Sequence, residues 1–391
     1  MQSDGETVTA RRSLTISANA SPSEGGQGLN LSHMLKGARD NFDVSVFCRG
    51  VYDEVRTELV PTSRLSTLIN RTPYLRRLRD WQSYLADSHF DGYVARRLNG
   101  THVFQGMTGQ CAESLEVARR HGCPTLLDVV TTHIEDFSSH QERECAKFQV
   151  RPSIHPLLRK RMLQEYERAD LIRVMSERAK ETFAERGFAP ERVQVVPPPI
   201  DFEQFTPAQF DEPKFRVSFV GLIEPWKGFH YLIDAFNALS IPDSELVLWG
   251  GPGTRPISRY LQREMARNPA IIVKPVEIRR YGYGEVYGKS SVFVHPSLAD
   301  GFGYVVAEAM ASGLPVIVTK NTGAAELIID GHNGYVVPGA DSDAIRDRLA
   351  HLAENPALLR EMGRAARETA RSLTFARFRD RYVSCLNSLA G

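Results

Sequence analysis

The sequence predicts an α/β protein built from two Rossmann-like domains, each a parallel sheet covered by helices. Short apolar stretches typical of buried strands alternate with helical stretches along the chain. This alternation stops in the proline-rich stretch 197–213 and then starts again. The chain has 391 residues, which is too many for one ordinary core and right for two or three domains.

The first domain is predicted over residues 13–200, after a polar tail at 1–12 that we expect to be disordered. Its opening is βαβ: strand "SLTIS", helix "LNLSHMLKGARD" and strand "FDVSVFCRG". The alternation then continues with strands near 101–109, 124–130, 171–176 and 193–199, and helices near 112–122, 159–170 and 177–187.

The second domain is predicted over residues 201–372. It begins with strand "FRVSFVGLI" and helix "GFHYLIDAFNAL", and the further strands are expected at 244–251, 290–297 and 314–320. Residues 373–391 have helical spacing. Ligands of such folds bind at the carboxyl ends of the strands, so we expect the site in a cleft between the two domains.

Composition narrows the class of protein. The formal net charge of +1 gives no global field that would attract nucleic acid. No apolar run reaches the roughly 18 residues that span a bilayer, and the polar start of the chain does not resemble a secretory signal. The cysteines are odd in number and form no CxxC pair, which predicts free buried thiols and a cytoplasmic protein. They are Cys48, Cys111, Cys123, Cys145 and Cys385.

The stretch "LADGFGYVVAEAMASGLPVI" contains the strongest candidate site. Glu308 stands in an apolar helix, where a carboxylate needs a partner. Eight helical residues span about 12 Å, so Asp300 and Glu308 could bind hydroxyls at the two ends of a pyrophosphate. The loop amides between them would then face the phosphates; they belong to Gly301, Phe302, Gly303 and Tyr304. In the alternative reading, Asp300 caps the helix and Glu308 pairs with a nearby arginine.

Two earlier loops also join a strand to a helix. Gly25 and Gly26 lie in "SEGGQGLNL", which fails as a dinucleotide fingerprint and is either a tight turn alone or a phosphate contact as well. Lys227 follows Gly221 in "VGLIEPWKGF" and stands at a helix start, where an ammonium is unfavourable unless an anion lies there too. A solvated surface lysine is the other reading.

Several motifs together resemble those of family 4 glycosyltransferases, retaining enzymes of the two-domain GT-B fold. The resemblance rests on five motifs that follow one another along the chain in the order usual for the family. They are "SEGGQGLNLSHML", "TTHIEDF", "FVGLIEPWKGFHYLIDAF", "DGFGYVVAEAMASGLPVI" and "TGAAELIIDGHNGYVV". It implies a nucleoside-diphosphate sugar as co-substrate, no metal or other cofactor, and a hexose transferred to an acceptor hydroxyl in polysaccharide or lipid-linked glycan assembly. It also implies an acceptor domain at 13–200, a donor domain at 201–372, and a C-terminal helix that packs back on the first domain.

The resemblance implies roles for single residues too. Lys227 would contact the diphosphate, Glu308 the ribose and Asp300 the sugar hydroxyls, while His133 would lie beside the reacting carbon or the acceptor. From the residues alone, His133 reads as a histidine hydrogen-bonded to structure. The chain departs from the family at two positions: Asp300 replaces a glutamate, and Leu222 replaces an arginine, for which Arg255 or Arg259 could substitute.

The stretch 62–85 is rich in arginine interleaved with leucine and tryptophan. A basic amphipathic helix there could contact the inner face of a membrane or a lipid-linked acceptor. The other reading is a solvated arginine face over the core. The arginines are Arg64, Arg71, Arg76, Arg77 and Arg79. For the whole chain, a sugar-nucleotide epimerase and a non-catalytic sugar-nucleotide-binding subunit remain alternatives to a transferase.

Overall fold

The structure is a computed structural model that describes residues 11–63, 79–210, 214–275 and 278–389. The chain divides into two compact units. Unit 1 comprises Met1–Val129, His155–Arg173 and Phe378–Gly391, and unit 2 comprises Val130–Ile154 and Val174–Arg377. In the part of the chain that the structure describes, no helix is long and apolar enough to cross a membrane.

The first sheet has seven strands in the order β3-β2-β1-β4-β5-β6-β7. The pairings of β1 with β2 and with β4 are parallel, and Ser17 is paired with Phe47 on one side and Gly106 on the other. The strands are β1 Ser13–Ser17, β2 Asp43–Cys48, β3 Arg56–Leu59, β4 Val103–Met107, β5 Thr125–Asp128, β6 Leu171–Val174 and β7 Val193–Val195. The order reverses between β1 and β4.

The helices of this half of the chain follow the strands. They are α1 Gly25–Ala38, α2 Arg79–Ala95, α3 Ala112–Arg120, α4 Ile134–Lys147, α5 Pro156–Arg168 and α6 Glu177–Ala184. Helix α4 stands between β5 and β6 in sequence but belongs to unit 2.

The second sheet has six strands in the order β10-β9-β8-β11-β12-β13. Its strands are β8 Phe215–Val220, β9 Ser244–Trp249, β10 Ile271–Lys274, β11 Val292–His295, β12 Val316–Thr319 and β13 Gly334–Val337. The helices of this part of the chain are α7 Phe229–Asn237, α8 Arg255–Arg267, α9 Ile278–Val286, α10 Tyr304–Ala311, α11 Ser342–Glu354 and α12 Pro356–Ala370. The last helix, α13 Phe375–Leu389, belongs to unit 1 from Phe378 onward. Short 3₁₀ helices are Pro190–Arg192, Phe202–Gln204, Pro225–Lys227 and Gly323–Leu327.

Both faces of the second sheet are buried. Successive residues of β8 belong to different clusters: Phe219 packs with Leu246 and Leu248 on one face, and Val220 packs with Val247 on the other. Apolar residues are therefore needed on both faces of this strand, and Val217, Phe219 and Val220 supply them. The predicted fold of two parallel α/β sheets is confirmed.

A buried ion pair ties the strands and helices of unit 1 together. The Arg173 guanidinium lies 2.6 Å from Asp128, and Asn30 donates to the other carboxylate oxygen at 2.5 Å. All three side chains are essentially inaccessible to solvent. The rings of Phe378 and Tyr382 on α13 lie beside the Arg173 guanidinium, with centroids 5.3 and 5.7 Å away.

The five cysteines are free and buried, as predicted. Burial raises the pKa of several of these thiols, including that of Cys145 to about 12. A thiol with a raised pKa is a poor nucleophile.

Candidate functional site

The carboxyl ends of β8 and β11 meet where the strand order of the second sheet reverses, which is where doubly wound folds bind ligands. After β8 the chain runs through Gly221 into the 3₁₀ turn that ends at Lys227. After β11 it runs through Pro296 to Asp300 and the glycine loop of α10. All of these residues belong to unit 2.

Gly228 lets the two loops approach each other. It has φ 69°, in the left-handed region, and it is the N-cap of α7. A Cβ at this position would overlap the carbonyl oxygen of Pro296. The backbone of Trp226 in turn accepts a hydrogen bond from Leu298 at 2.8 Å. Only glycine fits this crossing without strain, and the crossing places Lys227 beside Asp300.

Two side chains, a lysine and a histidine, contact the same carboxylate oxygen of Asp300. Lys227 Nζ lies 2.5 Å from Asp300 Oδ2, and His295 Nε2 lies 3.0 Å from the same atom. Burial alone would raise the pKa of Asp300, but the Lys227 ammonium and the His295 ring outweigh it and hold that pKa well below its ordinary value. Asp300 is therefore a carboxylate at neutral pH. Because Gly303 is the N-cap of α10, Asp300 does not cap this helix.

His295 was not identified from the sequence. It is the last residue of β11, and its ring is 1% exposed. Burial lowers the pKa of His295, and Lys227 lowers it further against the opposite effect of Asp300, so the ring is neutral at pH 7. A neutral ring can still donate one N–H to Asp300. The only signal in the sequence is a polar residue at the end of an apolar strand.

Glu308 lies on α10 and accepts a hydrogen bond from Tyr287, with the phenol oxygen 2.6 Å from Oε2. Tyr287 is fully buried just after α9, and it was also missed from the sequence. Burial raises the pKa of Glu308, and the hydrogen bond from Tyr287 opposes that rise. A tyrosine therefore occupies the place that the alternative reading gave to an arginine.

The glycine loop before α10 is closely packed. A Cβ on Gly301 would overlap the carbonyl oxygen of Val130, and Gly303 has φ 90° and no room for a Cβ, which would lie 2.9 Å from the Thr322 methyl carbon. Phe302 is buried, and its carbonyl accepts from Ala324 at 2.7 Å. Tyr304 is the first residue of α10. An α-helix leaves its first N–H groups without intrahelical acceptors, so this end can bind an anion.

His133 is buried, with 2% exposure, and is the N-cap of α4. Its Nδ1 accepts a hydrogen bond from the amide of Glu135 at 3.3 Å, and its own amide donates to Thr182 at 2.9 Å. The ring meets that of Phe183 edge to face at 4.9 Å. The structure thus gives His133 a local role at the start of a helix, and its contact with substrate remains a prediction.

Helix α4 packs against the lysine loop within unit 2. Phe137 meets Trp226 with ring centroids 6.1 Å apart, and Tyr231 donates to Glu144 at 3.0 Å. Glu144 also pairs with Lys147 at 2.9 Å and with His230 at 3.2 Å. Burial would raise the pKa of Glu144, but these partners lower it to about 2.

The remaining predicted positions are spread over both units. Gly25, with φ 64°, and Gly26 begin α1 in unit 1, and space for a Cβ is open at both. Leu222 is 63% exposed next to Gly221. Arg255 begins α8, and Arg259 lines a cavity of about 900 Å³ between α4, α7 and α8. Among the described residues, the lining of that cavity does not include Lys227 or Asp300.

Comparisons with known proteins found a family match for the second half of the chain. Residues 201–369 match the family model for glycosyl transferases group 1. A D-inositol 3-phosphate glycosyltransferase from Kribbella flavida is 32% identical over 229 residues, 53% of this chain and 54% of that protein. A GDP-mannose-dependent alpha-(1-6)-phosphatidylinositol monomannoside mannosyltransferase from Mycolicibacterium smegmatis is 28% identical over 70% of this chain and 74% of its own. The chain thus spans about half the length of the inositol-phosphate relative.

Solved structures share the fold along nearly the whole chain. Sucrose-phosphate synthase from Thermosynechococcus elongatus superposes with a TM-score of 0.74 at 20% identity, over 97% of this chain and 99% of that one. Alr3699/HepE of Anabaena, solved in complex with UDP, superposes with a TM-score of 0.71 at 18% identity, over 97% of this chain and all of its own. At these identities the likeness shows the fold alone.

Proposed function

We propose that this chain transfers a hexose from a nucleoside-diphosphate sugar to an acceptor hydroxyl, because residues 201–369 match the family model for glycosyl transferases group 1. The observation that carries the proposal is the meeting of Lys227 and Asp300, 73 residues apart in sequence, at the reversal point of the second sheet. The cation and the helix N-terminus there suit the diphosphate of such a donor, and the carboxylate suits the hydroxyls of its sugar.

Each donor contact is assigned by chemistry. Lys227 would bind the diphosphate, with the amides of Phe302, Gly303 and Tyr304 at the helix start. Glu308 would accept hydrogen bonds from the ribose hydroxyls, and Asp300 from the sugar hydroxyls. The raised pKa of Glu308 does not prevent this role, because accepting two hydroxyl hydrogen bonds favours the carboxylate form. Gly221 lies beside these groups in sequence, while Gly25 and Gly26 would contact phosphate or substrate from unit 1.

We further propose that the reaction retains the anomeric configuration and needs no metal or other cofactor. The bond from the anomeric carbon to the phosphate oxygen breaks as the acceptor oxygen bonds to the same face of that carbon. The leaving phosphate takes the proton of the acceptor hydroxyl. Negative charge develops on the phosphate, where the Lys227 ammonium and the helix amides stabilise it. His133 is a candidate contact for the acceptor. Product anomers resolved by NMR test this mechanism, and an inverted product would overturn it.

The acceptor is proposed to be a carbohydrate or a lipid-linked glycan, in line with the names of the inositol-phosphate and phosphatidylinositol-mannoside relatives. We propose a cytoplasmic location, because five free buried cysteines suit a reducing compartment. Contact of the arginine-rich stretch with a membrane is also a proposal. Arg64, Arg71, Arg76 and Arg77 lie outside the described residues, and Arg79 begins α2. Liposome flotation with anionic lipid at low salt tests it, and absence of binding would end it.

The experiment for the donor is a panel of UDP-, GDP- and ADP-sugars, scored by thermal shift and by release of free nucleotide. The wild type is compared with Glu308→Ala and with the control Glu361→Ala, which changes an exposed carboxylate on α12. A ligand at a hundred times its dissociation constant stabilises the fold by about 2.7 kcal/mol. We expect one donor to stabilise the wild type and the control but not Glu308→Ala.

Three other outcomes would contradict the proposal. Conversion of the donor sugar without an acceptor would indicate an epimerase. Binding without turnover, with every acceptor tried, would indicate a non-catalytic nucleotide-sugar-binding subunit. Indifference to all donors, with Glu308→Ala merely less stable, would make Glu308 a structural carboxylate.

A further inference from the structure

Asp300 has one rigid partner and one mobile partner. Both contact the same carboxylate oxygen, Oδ2. His295 Nε2 lies 3.0 Å from this oxygen, and Lys227 Nζ lies 2.5 Å from it. The two partners differ in how far they can move, and that difference determines what happens to Asp300 when a ligand arrives.

His295 cannot move without disturbing the core. It ends a central strand, and its ring lies parallel to those of Phe219 and Phe293, with centroids 6.4 Å away in each case. Its Nδ1 is buried, and no described residue hydrogen-bonds to it. A buried nitrogen without a partner costs stability. Among the described residues, the contact that the ring nitrogens of His295 make is therefore the one between Nε2 and Asp300.

Lys227 can move. It stands at the end of a 3₁₀ turn, and its side chain is partly exposed. Its ammonium is a point charge on a flexible four-carbon stem. A diphosphate carries more negative charge than one carboxylate, so a bound donor would draw the ammonium off Asp300 or share it. Asp300 would then lose its closest partner at the moment when it must hold the sugar.

We propose that His295 is a positioning residue that keeps the Asp300 carboxylate in place when the donor diphosphate draws Lys227 away. The inference rests on the proposed function. It also accounts for an aspartate at this position, because the shorter side chain reaches back to His295 with fewer rotatable bonds than a glutamate would have. Two contacts in the free protein thus become one contact to His295 and one to the sugar.

The test is His295→Phe, which keeps an aromatic ring between Phe219 and Phe293 and removes Nε2. We expect kcat for sugar transfer to fall about 10- to 100-fold, the usual cost of loosening a reacting geometry. Affinity for the nucleoside diphosphate without the sugar should match that of the wild type, because its contacts are unchanged. His295→Gln, whose amide nitrogen can take the place of Nε2, should recover most of kcat.

A second comparison separates positioning from structure. In an Asp300→Ala background, His295→Phe should change kcat by less than about twofold, because residues that act together are not additive. His230→Phe is the matched control: it removes another buried histidine of unit 2 that contacts a carboxylate, Glu144, outside the site. We expect it to lower the melting temperature and to leave kcat near that of the wild type.

The possible outcomes separate failure of the inference about His295 from failure of the proposed function. Equal kcat in His295→Phe and wild type would overturn the inference and leave the proposed function intact. An equal loss in the Asp300→Ala background would also overturn it, since His295 would then act independently of Asp300. Failure of the wild type to turn over any nucleotide sugar would overturn the proposed function, and the inference with it.

Discussion

The substitution Gly228→Ala tests whether one backbone crossing builds the site. Gly228 has φ 69°, and an alanine in that region costs about 1–2 kcal/mol. Its Cβ would also overlap the Pro296 carbonyl oxygen and lie 2.9 Å from the carbonyl carbon. Overpacking against backbone adds about 1–3 kcal/mol. The two effects together predict a loss of about 2–5 kcal/mol in the free energy of unfolding.

Gly331→Ala is the matched control. Gly331 has φ 77°, but nothing described lies within 4 Å of a Cβ placed there. It should lose only the conformational part, about 1–2 kcal/mol. At about 2–4 °C per kcal/mol for a domain of 150–250 residues, Gly228→Ala should melt roughly 2–12 °C below Gly331→Ala.

The same pair of variants reports on the site. Relaxing the overlap must move the turn that ends at Lys227, so Gly228→Ala should also weaken binding of a nucleoside diphosphate, and Gly331→Ala should not. Melting by differential scanning calorimetry and binding by isothermal titration measure both effects. If the two variants melt together and bind alike, the crossing of Gly228 over Pro296 does not position Lys227.

Three further predictions concern stability and the ribose contact. Arg173→Met should lower the free energy of unfolding by about 3–5 kcal/mol in a urea titration, because Asp128 is left buried without its counter-ion; a loss below about 1 kcal/mol would contradict this. The pKa of Glu144 is lowered from an ordinary value of 4.5 to about 2, so its pairing stabilises the fold fully above about pH 4.5, and this benefit is lost as the pH falls to about 2. Glu144→Gln should therefore flatten the decline in stability over this window, with the loss of the wild type reaching about 3 kcal/mol, and an unchanged acid profile would refute the assignment. Tyr287→Phe should raise the donor KM severalfold at constant kcat, because the phenol orients Glu308 and not the reacting carbon; a fall in kcat at constant KM would place Tyr287 nearer the chemistry.

The central strands of both sheets were predicted from the sequence, and so was the edge strand β7, but the edge strands β3, β10 and β13 were not. β1, β4, β8 and β11 are largely buried, and their short apolar stretches are recognisable although Thr15, Gln105 and Ser218 interrupt them. β3, "RTEL", lies at a sheet edge, and each of its residues is half-exposed or exposed. Its pattern is that of a loop, because an edge strand is stabilised by pairing with a neighbour and not by burial of its own side chains.

Several parts of the site depend on packing that a sequence does not display. Lys227 and Glu308 were identified because a charge stands where the local pattern is unfavourable to it, and Asp300 was identified by its spacing from Glu308. His295 and Tyr287 contact Asp300 and Glu308 from positions that look ordinary, one at the end of a strand and one just after a helix. Likewise, the sequence around Val130 does not indicate that its carbonyl oxygen packs against Gly301. It also does not indicate that residues 130–154 belong to unit 2.

The most direct test of the donor site is calorimetric binding of UDP and GDP to Lys227→Met, with Arg259→Met as the control. Arg259 was a possible substitute for the arginine that Leu222 replaces, but it is exposed and lines a cavity whose described lining includes neither Lys227 nor Asp300. A charge-assisted contact is worth about 1.5–3 kcal/mol, so Lys227→Met should bind the preferred nucleotide at least about tenfold more weakly, and Arg259→Met should bind it like the wild type. Equal binding by Lys227→Met and wild type would contradict the donor site at the carboxyl ends of β8 and β11.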